Sequence, residues 1–159
     1  MDRKERLLAI AELEQGLNDF WHDVDANWGR NAAQFYSEDC LYESGKLRIE
    51  GREGIEKFYS WREDRGARSA VHAVANFRAQ FDGEGGAIAH WYMLLYAADG
   101  EPPHPSVAPS RISRATEHYR FDEAEQRWLC TYRRLDNLFK GDAQLNVPKD
   151  VSRTKAEAS

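Results

Sequence analysis

The chain of 159 residues has few cysteines, few prolines and no long apolar run. Cys40 and Cys130 are its only cysteines and lack a Cys-x-x-Cys spacing, which argues against a zinc site and a disulfide framework. No apolar stretch approaches the length of a membrane span, and the N-terminus lacks the continuous apolar segment of a signal peptide. We therefore expect a cytoplasmic protein with no membrane partner.

An excess of positive charge is also missing. Lysine and arginine number 22 against 27 aspartate and glutamate residues, which gives a net charge of −5. Nucleic-acid binding needs a basic stripe, so we do not expect this class of function. The sequence DGEGG at 82–86 is typical of a hairpin turn, not of a phosphate-binding loop. The histidines lack the spacing of a metal site, and we expect neither a metal nor a cofactor.

Aromatic residues, by contrast, are abundant. Five tryptophans, seven tyrosines and seven phenylalanines supply large side chains that fill a core or line an apolar pocket. The length fits one domain with a single core. We assign residues 1–140 to that domain and residues 141–159, which are polar and interrupted by a proline, to a C-terminal tail.

Apolar periodicity predicts three helices in the N-terminal half, over Arg3–Trp28, 31–36 and 52–65. Two short strands surround a turn at Ser44–Gly45. Four long strands follow, at 68–81, 87–97, 111–121 and 128–139. Long antiparallel strands twist and coil. The sequence therefore predicts an α+β fold in which a cone-like, curved, mostly antiparallel sheet packs against three helices.

The long strands carry apolar residues on both faces, so both faces need to be covered. We therefore predict a homodimer that forms through the outer face of the sheet. The residues that indicate it are Val71, Ala73 and Phe77 on one face against Val74 on the other, with aromatic area from Trp91, Tyr92 and Tyr96.

Two polar residues stand out within these elements. Asp25 follows Trp21 by four residues and shares its helix face, which should turn inward, whereas Asp23 should face water. His72 lies mid-strand among small apolar residues, and strand alternation places Asn76 on the same face. Asp25 could also cap the next segment or pair with an arginine, and His72 could be a satisfied core residue.

The order of elements resembles the nuclear transport factor two-like superfamily, also called SnoaL-like or the α+β cone. The phrases that carry the resemblance are GREGIEKFYSWREDRG, VHAVANFRAQF and RWLCTYRR. Within that superfamily, the scytalone dehydratase and hexachlorocyclohexane dehydrochlorinase group uses an Asp–His pair, which Asp25 and His72 match by position. The dehydrochlorinase also has an arginine five residues after a tryptophan, which Arg133 matches. The dehydratase's second pocket histidine has no match here.

The resemblance implies a general base at His72 that Asp25 orients, with Arg133 holding an anion. A salt bridge of Arg133 to an acidic residue such as Asp25 is the alternative. Tyr42 is a further pocket candidate or an ordinary strand aromatic. Tyr96 is another, because a hairpin centred near Glu84 pairs position 72 with about position 96 and His90 with Arg78. His90 then lies outside the site.

Two functions are compatible with these residues. The first is a cofactor-free lyase or isomerase that acts on a small apolar or aromatic organic molecule. The second is a module of the same fold that binds a ligand without turnover or supports a partner, as the small subunits of ring-hydroxylating dioxygenases do. An Asp25–His72 pair within hydrogen-bond reach beside an open cavity would favour the enzyme.

Overall fold

Helix α1 spans Arg3–Asn27 and begins at a capping box in the computed structural model, which describes residues 1–141. The Asp2 carboxylate accepts from the Glu5 amide at 2.8 Å, and the Glu5 carboxylate accepts from the Asp2 amide at 2.7 Å. The helix ends at Trp28, whose left-handed backbone (φ 62°) directs its N–H to the Asp23 carbonyl. The chain then turns back toward the sheet.

The remaining elements follow in the predicted order. They are a 3-10 turn at Ala32–Phe35, strand β1 at Tyr36–Ser44, β2 at Leu47–Glu50, helix α2 at Gly51–Glu63, and then β3 at Arg68–Phe81, β4 at Gly86–Asp99, β5 at Arg111–Asp122 and β6 at Arg127–Lys140. The six strands form one sheet in the order β2-β1-β6-β5-β4-β3. The β1–β6 pair is parallel and every other pair is antiparallel.

The predicted α+β cone is confirmed, with one change in its helices. The segment predicted as a helix at 31–36 forms a single 3-10 turn, and Tyr36 already belongs to β1, where it pairs with Cys130. Its side chain is fully buried. Burial of this large aromatic in the sheet outweighs the weak helical periodicity of a six-residue segment.

The core lies between helix α1 and the inner face of the curved sheet. The helix contributes Leu13, Leu17 and Phe20, each at most 2% exposed. From the sheet side, Trp91 and Leu135 belong to the same buried cluster. Each layer covers the apolar face of the other, as a two-layer domain requires.

The outer face of the sheet exposes several large apolar side chains, and they are Val71, Ile88, Tyr92 and Tyr96. Two residues predicted for this face lie elsewhere. Trp91 is 1% exposed in the core, and Phe77 packs against that core because a bulge precedes it. The homodimer stays a prediction.

No helix within residues 1–141 is long and apolar enough to cross a membrane. The division into a domain at 1–140 and a tail at 141–159 stays a prediction, because all of the tail except Gly141 lies outside the described residues.

Candidate active site

A cavity of about 500 Å³ opens between the two helices and the inner face of the sheet. Its volume lies within the range of about 300–1,000 Å³ that is usual for small-molecule sites. Helix α1 contributes Trp21 and Asp25 to its wall, its C-cap residue Trp28 adds a third side chain, and strand β3 contributes His72. The cavity thus combines apolar surface with the two polar residues that the sequence singles out.

The structure brings Asp25 and His72 together in this cavity. Asp25 Oδ1 lies 2.6 Å from His72 Nδ1, and Asp25 Oδ2 accepts from the His72 backbone N–H at 2.8 Å. The side chains keep 20% and 14% of their surface exposed, so the pair is partly and not fully buried. An ionised carboxylate can only accept, so Nδ1 carries the hydrogen in this contact. The neutral ring then presents Nε2 as its acceptor.

Trp21 holds the plane of the imidazole. Its ring stacks on His72 with centroids 4.2 Å apart and an interplanar angle of 10°. Because Trp21 is only 4% exposed, it fixes the ring from one side while Asp25 fixes it at the edge. The four-residue spacing of Trp21 and Asp25 places both on one helix face, but it does not by itself predict that Trp21 stacks on His72.

A family model of the SnoaL-like domain matches residues 5–148. This chain belongs to the SnoaL-like domain family. No curated protein matches it. Several solved structures resemble it in fold.

A protein of Novosphingobium aromaticivorans that is provisionally assigned as a scytalone dehydratase has a TM-score of 0.78 at 16% identity, over 96% of this chain and 99% of that one. An aromatic ring hydroxylase, provisionally assigned, from the same species has a TM-score of 0.69 at 16% identity, over 84% and 91%. ActVI-ORFA from Streptomyces coelicolor has a TM-score of 0.68 at 15% identity, over 80% and 96%. At these identities the likeness shows the fold alone.

In this SnoaL-like domain, two tyrosines also line the cavity. Tyr42 lies on β1 and Tyr59 on α2, and both are at most 8% exposed. Burial raises the pKa of Tyr42, against the opposing charge of Arg133, and burial followed by the proximity of Tyr42 raises the pKa of Tyr59 further. Both therefore keep a phenolic proton that they can donate. Tyr59 was not predicted as a site residue, although it shares the buried helix face of Ile55.

Asn76 and Tyr96 do not lie where we expected. The β3–β4 ladder slips between Ala75 and Arg78, and Asn76 adopts a left-handed backbone (φ 56°) at this bulge. Asn76 is exposed. Beyond the bulge His72 pairs with Leu95, so Tyr96 falls on the opposite face and is 39% exposed. A shift of one residue exchanges the two faces of a strand.

Arg133 is also displaced from its predicted role, because it does not line the cavity of His72. It is 1% exposed and its Nε donates to Glu117, while its Nη1 donates to the Tyr36 hydroxyl at 2.6 Å. Glu117 lies directly opposite Arg133 in the β5–β6 ladder. The ion pair that we kept as an alternative therefore forms, but with Glu117 instead of Asp25. His90 lies opposite Arg78, as expected.

Asp23 is buried, contrary to the expectation that it faces water. Its carboxylate accepts from Asn27 Nδ2 at 2.7 Å and from the backbone and side-chain nitrogens of Asn31, each at 3.0 Å. The chain reverses after Trp28 and folds Asn31 over it. Asp23 therefore stabilises the helix end that carries Asp25 into the cavity.

The two cysteines lie outside the cavity of His72 and are unreactive. Both cysteines are buried, and burial, followed by the charge of Asp39, raises the pKa of Cys40 to about 11. Burial raises the pKa of Cys130 further. Neither thiol forms a thiolate near neutral pH, so neither is a nucleophile. Among residues 1–141, no three His, Cys, Asp or Glu side chains converge as metal ligands.

Proposed function

We propose that this SnoaL-like domain is a lyase or isomerase in which His72 removes a proton from carbon. The Asp25–His72 contact of 2.6 Å at the wall of an open cavity carries the proposal. The carboxylate fixes the ring tautomer and stabilises the imidazolium that forms when Nε2 takes a proton. Trp21 and Asp25 together hold the ring in one orientation, which keeps Nε2 directed at a bound molecule.

Side chains of the cavity can carry each step of the proposed reaction. The electron pair of the broken C–H bond moves toward an adjacent carbonyl, and the carbonyl oxygen gains negative charge. A phenol such as Tyr42 or Tyr59, which burial keeps protonated, can donate a hydrogen bond to that oxygen. In a lyase this pair then forms a carbon–carbon double bond, and the neighbouring group departs with its own bonding electrons, as chloride or, with the proton from the imidazolium, as water. In an isomerase the imidazolium returns the proton at another carbon.

Arg133 has no direct part in this proposal. Its guanidinium is occupied by Glu117 and Tyr36 and lines another cavity, of about 650 Å³, below the first half of α1. The name of the Novosphingobium protein assigned as a scytalone dehydratase agrees with a lyase, and that of the ring hydroxylase agrees with a small aromatic molecule as the ligand.

Proton removal can be tested without the natural substrate. A panel of aryl ketones with and without a β-hydroxyl or β-chloro group is incubated with the protein in D2O, and proton NMR follows deuterium uptake and elimination. We expect His72→Gln to lower the rate on any active compound by about 10²–10⁴-fold, the usual contribution of a general base.

His90→Gln is the matched control, because His90 contacts Thr116 and does not line the cavity. It should leave the rate unchanged. Equal rates for wild type and His72→Gln would contradict the proposal. Tight binding of panel compounds by wild type with no exchange or elimination would favour the second function, a module that binds without turnover.

A further inference from the structure

The outer end of the cavity is positively charged, although the chain carries a net charge of −5. Five cationic residues line it and form what we call the cationic rim, namely Lys46, Arg62, Arg68, Arg111 and Lys140. Among the described residues of the wall, Asp25 is the one carboxylate, and its charge is directed at His72. The rim is therefore a local excess of positive charge in an acidic protein.

The topology gathers most of these residues at one end of the strands. Arg68 begins β3, and Arg111 at the start of β5 lies directly opposite Lys140 at the end of β6. Lys46 occupies the turn between β1 and β2. Three strand ends and a hairpin turn from distant parts of the sequence thus bring their charges to the mouth of the same cavity.

Arg62 is the buried member of the rim. Its side chain is 12% exposed, and Nη2 lies 3.4 Å from Asp99 Oδ1 and 3.5 Å from the Gly66 carbonyl oxygen. Nε and Nη1 are buried without a hydrogen-bond partner among residues 1–141. Asp99 also accepts from Arg68 Nε at 2.7 Å, so one carboxylate serves two guanidinium groups.

The positive charge of Arg62 and Arg68 therefore exceeds the negative charge of Asp99. Burial lowers the pKa of Arg62, the nearby charge of Arg68 lowers it further, and Asp99 opposes both. Asp99 contacts Arg62 at 3.4 Å and also pairs with Arg68, so the charge of Arg62 is only partly compensated. A carboxylate in the adjacent cavity would be attracted by this charge, whereas a neutral group would not.

We infer that the substrate of this site is an organic carboxylate whose charged end binds at the cationic rim. Its apolar body extends inward between Trp21 and Met93 toward His72. Arg68 and His72 are four residues apart on β3, which is about 14 Å at ~3.4 Å per residue. The ligand is therefore elongated, with the reactive carbon at the opposite end from the carboxylate. This inference deepens the proposed function and rests on it for the position of the reactive carbon.

A matched pair of ligands tests the charge preference. Titration calorimetry compares 2-naphthoxyacetate with 2-naphthoxyacetamide, which share a body of two fused rings and differ in charge. We expect the carboxylate to bind about tenfold more tightly, as one charge-assisted hydrogen bond supplies. Added salt should narrow the difference, because it screens the rim and leaves the amide unaffected. Equal affinities at low salt would overturn the inference.

Variants locate the site. Arg62→Gln should weaken carboxylate binding about tenfold and leave amide binding unchanged, and Arg111→Gln, at a strand end, provides the same test if Arg62→Gln does not fold. Arg134→Gln is the control, since Arg134 is exposed, pairs with Asp136 and lies outside the cavity wall. Equal losses with Arg134→Gln, or none with either rim variant, would refute a carboxylate site at the rim.

The two proposals can fail separately. His72→Gln should not change the preference for the carboxylate, because the rim is built from other residues. If wild type shows no preference for the carboxylate while its proton exchange depends on His72, the carboxylate site alone is overturned. An intact preference with exchange that is indifferent to His72 would overturn the general base alone.

Discussion

Inside this domain two carboxylates each pair with a nitrogen-bearing side chain, and the surroundings of the two pairs differ. Glu117 and Arg133 keep 0% and 2% of their side-chain surface exposed, whereas Asp25 and His72 keep 20% and 14%. Glu117 Oε2 also accepts from Trp91 Nε1 at 2.9 Å and from the Tyr119 hydroxyl at 2.6 Å. The carboxylate of Glu117 is thus satisfied on both oxygens by side chains of the core.

The difference indicates separate roles. In the buried pair Arg133 cannot lose its proton near neutral pH, and its Nε and Nη1 donate to Glu117 and to the Tyr36 hydroxyl. In the pair at the cavity the partner of the carboxylate is the imidazole of His72, which lines the cavity wall. We therefore expect the first pair to stabilise the fold, and the second is the pair that we propose transfers a proton.

The largest expected effect is on the buried pair. Glu117→Gln removes the charge that compensates Arg133 in the core, and we expect the free energy of unfolding to fall by about 3–5 kcal/mol. Urea unfolding monitored by circular dichroism measures it. Replacing both partners, as in Glu117→Leu with Arg133→Met, should recover much of this loss, because no buried charge then remains unpaired.

The neighbouring pair of Arg134 and Asp136 is the control for burial. It lies on the same strand and its side chains are 55% and 37% exposed. Asp136→Asn should change the free energy of unfolding by less than about 1 kcal/mol. Equal losses for Glu117→Gln and Asp136→Asn would show that the buried pair is not a structural centre.

The second effect is on proton transfer at the cavity. Asp25→Asn keeps the shape of the side chain, but its amide can donate to Nδ1 and so favour the ring with hydrogen on Nε2, which cannot accept a proton there. We expect the exchange rate in D2O to fall about tenfold, less than for His72→Gln. Nitrogen-15 NMR of the His72 ring should show the change of tautomer. An unchanged ring spectrum and rate would contradict the role of Asp25.

Local patterns explain how much of this fold and site the sequence could predict. Helix phase placed Asp25 beside Trp21, and strand phase with the family resemblance paired it with His72, which the structure brings to 2.6 Å. The hairpin centred on Glu84 also gave the correct pairing of Arg78 with His90 close to the turn. These features depend on neighbours along the chain, which periodicity describes well.

Features that depend on an interruption of the pattern were missed. The bulge at Asn76 shifts the ladder by one residue, so the pairing predicted for His72 is wrong beyond it and Tyr96 turns outward. Another shift, between His118 and Tyr119, sets Glu117 opposite Arg133. No periodic pattern marks where a strand gains one residue, and each such step exchanges the faces of all residues beyond it.

The smallest expected effect is a fall in stability at alkaline pH, to which Tyr119 beside the buried pair contributes. Burial, followed by the charge of Glu117, raises the pKa of Tyr119 well above its usual value of 10.0. As the pH rises past about 10, tyrosines of the unfolded chain lose their protons while folded Tyr119 keeps its own. The unfolded state then binds fewer protons, so stability should fall between pH 10 and the raised pKa and be fully retained below pH 10.

Tyr119→Phe should make that fall shallower, since the variant has one phenol less to ionise on unfolding. Buried Tyr36 and Tyr59, whose pKa values burial also raises, keep part of the slope. At neutral pH the variant loses the hydrogen bond to Glu117, which is worth about 1 kcal/mol or somewhat more because the acceptor is charged. Urea unfolding of both proteins at pH 7 and at about pH 11 gives the comparison, with each protein at pH 7 as its own reference. If stability falls as steeply with pH in Tyr119→Phe as in wild type, the surroundings of Glu117 do not keep the Tyr119 phenol protonated. The difference in burial between the Glu117–Arg133 pair and the Asp25–His72 pair would then have no electrostatic consequence at this position.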